Sequence, residues 1–257
     1  MTDSRQQLRD RFVEACGYWS PALEGLLTVD PDFFETYLEL AAVPWRTGRL
    51  EPKVKDFVSI AVNGAATHLY EPGFRQHVRL AIEHGATREE LLEVLQLTST
   101  LGIHSCTVGV PILLEELGEE GRAELPALDD RRRALKAEFE ATRGYWHAFW
   151  DGMLALDPDF FEAYLGFSSL PWTQGVLEPK VKELIYTAFD ASATHMYLPG
   201  LRQHVQNALG YGATPGEIME VFELAAVIGI HTWGMGLPIL LDELERAVAG
   251  AASGNEA

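Results

Sequence analysis

Six of the eight histidines fall at matched places in two related stretches, ATHLYEPGFRQH at 66–77 and ATHMYLPGLRQH at 193–204, and in a later Gly-Ile-His. The pairs are His68 with His195, His77 with His204, and His104 with His231. An imidazole titrates near neutrality, so it can take and return a proton, and in its neutral form it ligates divalent metals. Nine residues separate His68 from His77, which would put them on opposite faces of one continuous helix. Pro72-Gly73 lies between them, and a break there is expected to fold His77 back toward His68. Backbone N–H groups at the new helix start would face the space between. Thr67, Tyr70 and Arg75 flank these histidines, as Thr194, Tyr197 and Arg202 flank the second set. Imidazoles, hydroxyls and a guanidinium around one hollow suit a small carboxylate or carbonyl ligand.

Acidic partners are Glu51 and Asp56, matched by Glu178 and Glu183. Asp56 and Glu183 reach the histidine of the following helix if the two helices pack antiparallel. The alternative chemistry is a metal centre, with His68, His77 and His104 as one ligand set and His195, His204 and His231 as the other. No H-x-x-x-H or H-E-x-x-H reinforces it, and G-x-S-x-G, Walker and G-x-G-x-x-G patterns are also absent. The competing reading for any one histidine is a hydrogen-bonded core residue.

The elements that must position these groups come in duplicate. A constant offset of 127 residues relates Asp30-Pro31-Asp32-Phe33-Phe34-Glu35 to its copy at 157–162, and Leu50-Glu51-Pro52-Lys53-Val54-Lys55 to its copy at 177–182. About half of the aligned positions are identical. The division expected is a first helical domain at 1–120, a linker at 121–130, a second domain at 131–248 and a flexible tail at 249–257. Each copy reads as helical. Asp30 is an N-cap before Pro31, and Pro52 opens a helix running toward Tyr70. A third helix runs from Phe74 to about His84, with Gly85 as the residue that stops it, and Thr87-Arg88-Glu89-Glu90 is a capping box. No apolar run alternates with period 2, so the fold class is all-α. Trp45 and Trp172 read as packing residues, and EPKVK as a helix start with a solvated lysine face. Several helices are apolar on more than one side and want neighbours all round, from the other copy or another subunit.

The chain has 257 residues, 47% hydrophobic composition and a formal net charge of −18. Such an acidic surface repels phosphate backbones and anionic membranes. Two cysteines without a C-x-x-C, no signal-like N-terminus and no apolar run near bilayer length point to the cytoplasm.

The phrase H-V-x-x-A-(I/L)-x-x-G-A-T-x-x-E-(I/L)-x-E-V occurs at His77 and again at His204, each time before a Gly-containing helix. On these residues the chain resembles the carboxymuconolactone decarboxylase family, which includes the AhpD-like alkylhydroperoxidases. The resemblance covers most of each copy and implies a fused pair of such domains, with intertwined subunits and sites near their interfaces. It implies a homo-oligomer, a trimer for a fused pair. His77 and His204 match the family's motif histidine, and Asp56 and Glu183 fall near its acidic position. The redox members carry a C-x-x-C just before that histidine; this chain has none there, so a thiolate relay loses its nucleophile.

The decarboxylase branch is the one implied. In it Arg75 or Arg202 would hold a carboxylate, and His77 or His204 would serve as acid or base. His68, His195, Tyr70 and Tyr197 would donate to a developing oxyanion, with Thr67, Thr194, His104 and His231 lining the substrate site. The expected activity is a lyase or isomerase acting on an oxygenated, carboxylated small molecule of aromatic catabolism. No cofactor is expected, though a divalent metal remains possible. The alternatives are a metal-dependent enzyme, a non-enzymatic binding module and, least favoured, a peroxidase. Asp56 against Glu183, and Cys106 against Trp233, make the two pockets unequal.

Overall fold

A computed structural model describes residues 4–254, with side chains through Ala249. Among the described residues there is no strand. The first repeat contains α1 (Arg5–Cys16), α2 (Pro21–Val29), α3 (Pro31–Ala41), the short α4 (Val43–Arg46), α5 (Pro52–Gly64), α6 (Glu71–Glu83), α7 (Arg88–Ser99) and, after a 3₁₀ turn, α8 (His104–Glu116). A connecting α9 (Gly118–Ala123) leads to α10 (Asp130–Arg143), α11 (Phe149–Leu156), α12 (Pro158–Thr173), α13 (Pro179–Ala191), α14 (Leu198–Gly210), α15 (Pro215–Ala226) and α16 (His231–Gly254). The expected start signals operate as read. Asp30 and Asp157 accept from the N–H groups of Phe33 and Phe160, with proline at the next position. Thr87 and Thr214 close capping boxes with Glu90 and Glu217.

The helix break lies elsewhere than expected. Pro72 sits in the first turn of α6 and Gly73 inside it, so neither interrupts the helix. Proline is tolerated there because its missing N–H would have had no intrahelical partner. The chain instead reverses over 65–70, where Leu69 takes φ 46°, as Met196 takes φ 52° in the second copy. These left-handed, non-glycine residues carry strain of about 1–3 kcal/mol each. Backbone bonds pin the turn: His68 and Leu69 donate to the Ala65 carbonyl, and Tyr70 donates to that of Asn63. His195, Met196 and Tyr197 make the same bonds to Ser192 and Asp190. The strained residue thus stands between His68 and Tyr70, fixing how both are aimed. The repeated glycine has a separate cause. A Cβ on Gly73 would strike the Asn63 side chain and the Tyr70 ring, and one on Gly200 would strike Asp190 and Tyr197. Helices α6 and α14 lie that close to α5 and α13.

Helices α5 and α13 cross at the centre and are buried over ten consecutive positions each. One hydrophobic cluster takes residues from both repeats, including Phe57, Ile60, Leu97, Leu184, Phe189 and Val221. Two smaller clusters flank it, one around Phe12 and Phe34, the other around Phe139 and Phe161. The closing helices cross over: α8 packs on α11 of the second repeat, and α16 packs on α2 of the first. This exchange brings residues of one repeat into the pocket of the other.

EPKVK does not present a solvated lysine face. Lys53 is partly buried and pairs with Glu90, and Lys55 and Lys182 are only 2% and 3% exposed. Lys55 Nζ lies 2.8 Å from Glu220 Oε1 of the other repeat, and Lys182 Nζ lies 2.8 Å from Glu93 Oε1. Each lysine also donates to a proline carbonyl, Pro44 or Pro171, so both charges are satisfied inside the protein.

Two more readings change. The expected linker begins inside α9, and α16 continues to Gly254, so most of the expected tail is helical; residues 255–257 lie outside the described residues. Two helical stretches, Arg88–Glu116 and Pro215–Ala249, are long and apolar enough to cross a bilayer by length and composition. They exceed the reading from apolar runs because helix continues through the 3₁₀ turns and through Pro111 and Pro238. Only 33% and 22% of their most apolar windows are buried. The outward side chains recur in register: Val108, Ile112 and Leu113 in α8, Met235, Ile239 and Leu240 in α16.

Candidate active site

Each repeat builds a pocket on its central helix. In the first, α5 supplies the fully buried Asp56 and α6 supplies His77 one helix away. His77 Nδ1 is 2.9 Å from Asp56 Oδ1, and His84 Nδ1 is 2.7 Å from Asp56 Oδ2. A carboxylate at Nδ1 favours the tautomer with the proton there, which leaves the Nε2 lone pair of His77 open. The His77 ring stacks parallel to Trp45 and meets Tyr18 edge-on. Opposite stand Tyr70 and His231, their rings 3.8 Å apart, with Trp233 from the same crossing helix. The hollow between them, about 70 Å³, opens to solvent.

The second pocket repeats the plan with different residues. His204 Nδ1 is 2.6 Å from Glu183 Oε2, and Asn207 donates to the other oxygen of Glu183. Tyr186 stacks on His204 at 4.5 Å. From the other repeat come His104, stacked on Tyr197 at 3.8 Å, and Thr107, which accepts from the Tyr197 hydroxyl. Arg143 lines this pocket, 6% exposed, 4.9 Å above Trp172 and 5.4 Å from Tyr186. Its Nε has no hydrogen-bond partner. Burial alone would lower its pKa, but the fields of Tyr186, Tyr145, Tyr164 and Glu183 raise it, so it stays a cation.

The histidine sets differ from those expected. His104 does not join His68 and His77; its Nδ1 lies 2.6 Å from His195 Nε2. Likewise His231 does not join His195 and His204; its Nδ1 lies 2.9 Å from His68 Nε2. The reason is the crossing of α8 and α16. The arginines also fall outside. Arg75 is largely exposed and bound to Glu71, and Arg202 is exposed. Thr67 and Thr194 are exposed as well, with Thr194 bonded to Ser192. All four side chains lie on the outer, exposed face of the segment, on either side of the strained residue. Arg143, Asn63, Asp190, Tyr18 and Tyr186 are site residues that repeat-matching passed over. Arg143, Asn63, Asp190 and Tyr186 differ from their counterparts, and Tyr18, matched by Tyr145, lies in a loop far from the histidines in sequence. Cys16 stands where the second copy has Arg143 and lines the space beside His77. Burial pushes its thiol up to about 12, so it stays protonated at neutral pH and is a poor peroxide nucleophile. The largest open space, at the crossing of α5 and α13, is lined by Glu51, Lys53, Glu178 and Lys180 and holds no imidazole.

Electrostatics separate the imidazoles by role. Burial, then the neighbouring imidazoles, pull His104 down to about 3 and His231 down to about 3. Burial also lowers His68 and His195, and raises Tyr70 and Tyr197. These groups are neutral hydrogen-bonding walls at physiological pH. Asp190, 0% exposed, is pushed up to about 8 by burial and by the charge of Glu183. The His231 shift has a measurable consequence. Between about 6.5 and about 3 the unfolded chain binds this proton and the folded chain does not, so stability falls as pH drops through that window. Denaturant melts at a series of pH values are expected to show this acid limb flattened in His231→Asn; an unchanged limb would refute the assignment.

Comparison with known proteins agrees with this geometry. None of the curated proteins matches. A crystal structure of a protein provisionally described as a gamma-carboxymuconolactone decarboxylase subunit, from Burkholderia xenovorans LB400, is similar at 52% identity and a TM-score of 0.91. The match covers 96% of this chain and 100% of that one. The model of the carboxymuconolactone decarboxylase family matches residues 31–102 and again 158–230, together more than half of the sequence. With two copies of that family's segment sharing one helical core, the chain belongs to the carboxymuconolactone decarboxylase family.

Proposed function

We propose that this protein is a lyase that decarboxylates an oxygenated, carboxylated small molecule of the carboxylactone class, by general acid–base catalysis from His204 and His77. The observation that carries the reading is an imidazole clamped at Nδ1 by a buried carboxylate, with Nε2 free, built twice on the same helices. The similar structure is described as a subunit of a decarboxylase for such a lactone, which supports the substrate class.

In this chemistry the C–CO₂ bond breaks and its electron pair spreads onto the lactone carbonyl. A proton then returns to carbon. His204, positioned by Glu183, takes up a proton from solvent at Nε2 and delivers it to that carbon, returning to its neutral Nδ1–H form. Tyr197 lines the pocket as a neutral donor whose hydroxyl turns from Thr107 to the oxyanion, while His195 is engaged with His104. The substrate carboxylate faces Arg143, whose charge is buried and whose Nε lacks an acceptor; an anion placed there is bound strongly because little water competes. In the first pocket Cys16 occupies the corresponding place, so the second pocket is the one equipped for a carboxylate. The test is carbon dioxide release from a γ-carboxylated lactone by the purified protein. Turnover that disappears in Arg143→Gln supports the reading, whereas no release from any carboxylated lactone overturns it.

The protein works as a homo-oligomer, with the apolar stripes of α8 and α16 covered by further copies of itself. Matching stripes in both repeats, at Ile112 and Ile239 with 54% and 55% exposure, favour a repeated contact between identical chains. A chain carrying Ile112→Glu and Ile239→Glu is expected to sediment as a monomer while the wild type sediments as an oligomer, a trimer being expected. Identical sedimentation of the two would refute the interface.

A further inference from the structure

The two pockets differ at one buried position in a way that general acid–base catalysis does not use. Position 63 is Asn and its counterpart, 190, is Asp. Asp190 is 0% exposed, and neither of its oxygens has a hydrogen-bond partner. A buried carboxyl group in that condition is costly, ionised or not, unless a cation or a hydrogen-bond partner meets it. Three imidazole nitrogens face it: His204 Nε2 lies 4.0 Å from Oδ2, and His104 Nδ1 and His195 Nε2 each lie 3.8 Å from Oδ1. That distance is too long for a hydrogen bond. It is close to the separation of about 3.4 Å between neighbouring ligand atoms around tetrahedral zinc. One ligand atom from each of the three residues falls within 4.8 Å of the others. The imidazole nitrogens, 2.6 Å apart, need to open by less than about 1 Å to become two ligands of one ion.

We propose that the second pocket is a divalent transition-metal site of the zinc class, held by His104, His195 and Asp190, and that the first pocket is not. A two-histidine, one-carboxylate set leaves a fourth position for water or a ligand oxygen, as open zinc sites do. The ligands come from both repeats, α8 giving His104 and the α13–α14 segment giving Asp190 and His195, so the ion would tie the crossing helix to its partner repeat. In the first pocket His68 and His231 make the same contact at 2.9 Å, but the third corner is the uncharged amide of Asn63, already donating to the Ser59 carbonyl. An amide oxygen is a weak zinc ligand beside a carboxylate.

The inference goes beyond the proposed decarboxylation and does not depend on it, because binding is read without turnover. Tag-free protein is equilibrated with Zn²⁺ against a chelator that sets the free concentration, and bound metal is counted by elemental analysis; Co²⁺ is bound in parallel and its visible spectrum recorded. One equivalent per chain is expected, with a tetrahedral Co²⁺ spectrum. Asp190→Asn, which copies the residue natural to the first pocket, is expected to weaken binding by about 100-fold or more. Asn63→Asp is expected to add a second equivalent, a gain that a misfolded variant cannot mimic. Wild-type protein that takes up no Zn²⁺ at about 10 μM free metal, a concentration at which a three-ligand zinc site is filled, overturns the proposal. So does Asp190→Asn that keeps the wild-type affinity, or Asn63→Asp that gains nothing.

Discussion

A chain carrying both His77→Asn and His204→Asn is expected to lose turnover of its carboxylated substrate by about 10²–10⁴-fold, with its helical content unchanged. The loss belongs to kcat more than to KM, because the imidazoles move a proton in the reaction rather than hold the substrate. Asparagine is the informative replacement. Its amide can still donate to the buried carboxylate, so neither Asp56 nor Glu183 is stranded without a partner. Asp56 also keeps His84, and Glu183 keeps Asn207. What disappears is the titratable Nε2. The single variants apportion the effect. His204→Asn is expected to carry most of it, since the second pocket holds the buried guanidinium of Arg143. His77→Asn alone is expected to leave most activity. Full turnover in the double variant removes acid–base catalysis by these histidines altogether.

The second large effect is on stability. Glu220→Ala is expected to cost about 3–5 kcal/mol, the usual penalty for removing one partner of a buried ion pair. The cause is Lys55, 3% exposed at its side chain, which would keep its charge with only the Pro44 carbonyl to answer it. Glu220 also accepts from the Leu50 N–H at 2.8 Å and from the Thr47 hydroxyl at 2.6 Å, and these donors would be left without acceptors. For a chain of this length the melting temperature should fall by roughly 10 °C. Glu93→Ala is expected to behave alike, because Glu93 pairs with Lys182 and accepts from the N–H groups of Val176 and Leu177. Pairing Glu220→Ala with Lys55→Met is expected to recover much of the loss, since no charge then remains buried. Thermal melts decide the matter: a Glu220→Ala protein within about 0.5 kcal/mol of wild type, the range of ordinary surface substitutions, would show the pair to be dispensable. Both pairs join one repeat to the other, so they also explain why the repeats share a core.

The acid–base reading and the metal reading stand on different atoms. The first uses His77 and His204, which the linear motif marks directly, with carboxylates from the preceding helix. The second uses Asp190, which no repeat marks because the other copy has asparagine. Duplication thus hid a site in plain view: matching histidines drew attention to what the copies share, while Arg143 and Asp190 lie at positions where they diverge.

By itself the sequence determined the all-helical class, the duplication and the capped helix starts, and it offered the His77–Asp56 and His204–Glu183 partnerships on condition that the helices pack antiparallel. These follow from local signals: an N-cap and a proline act within one turn, and consecutive antiparallel helices bring nearby side chains together. Only the tertiary structure decided the rest. It exchanged His104 and His231 between repeats, because α8 and α16 pack across the boundary and no local signal encodes which neighbour an apolar helix will choose. It buried Lys55 and Lys182, because residues near a helix start read as solvated until another helix brings a glutamate to them. It moved the bend from Pro72-Gly73 to Leu69, because backbone bonds from Tyr70 to Asn63 and from His68 to Ala65 hold a left-handed residue that its own type disfavours.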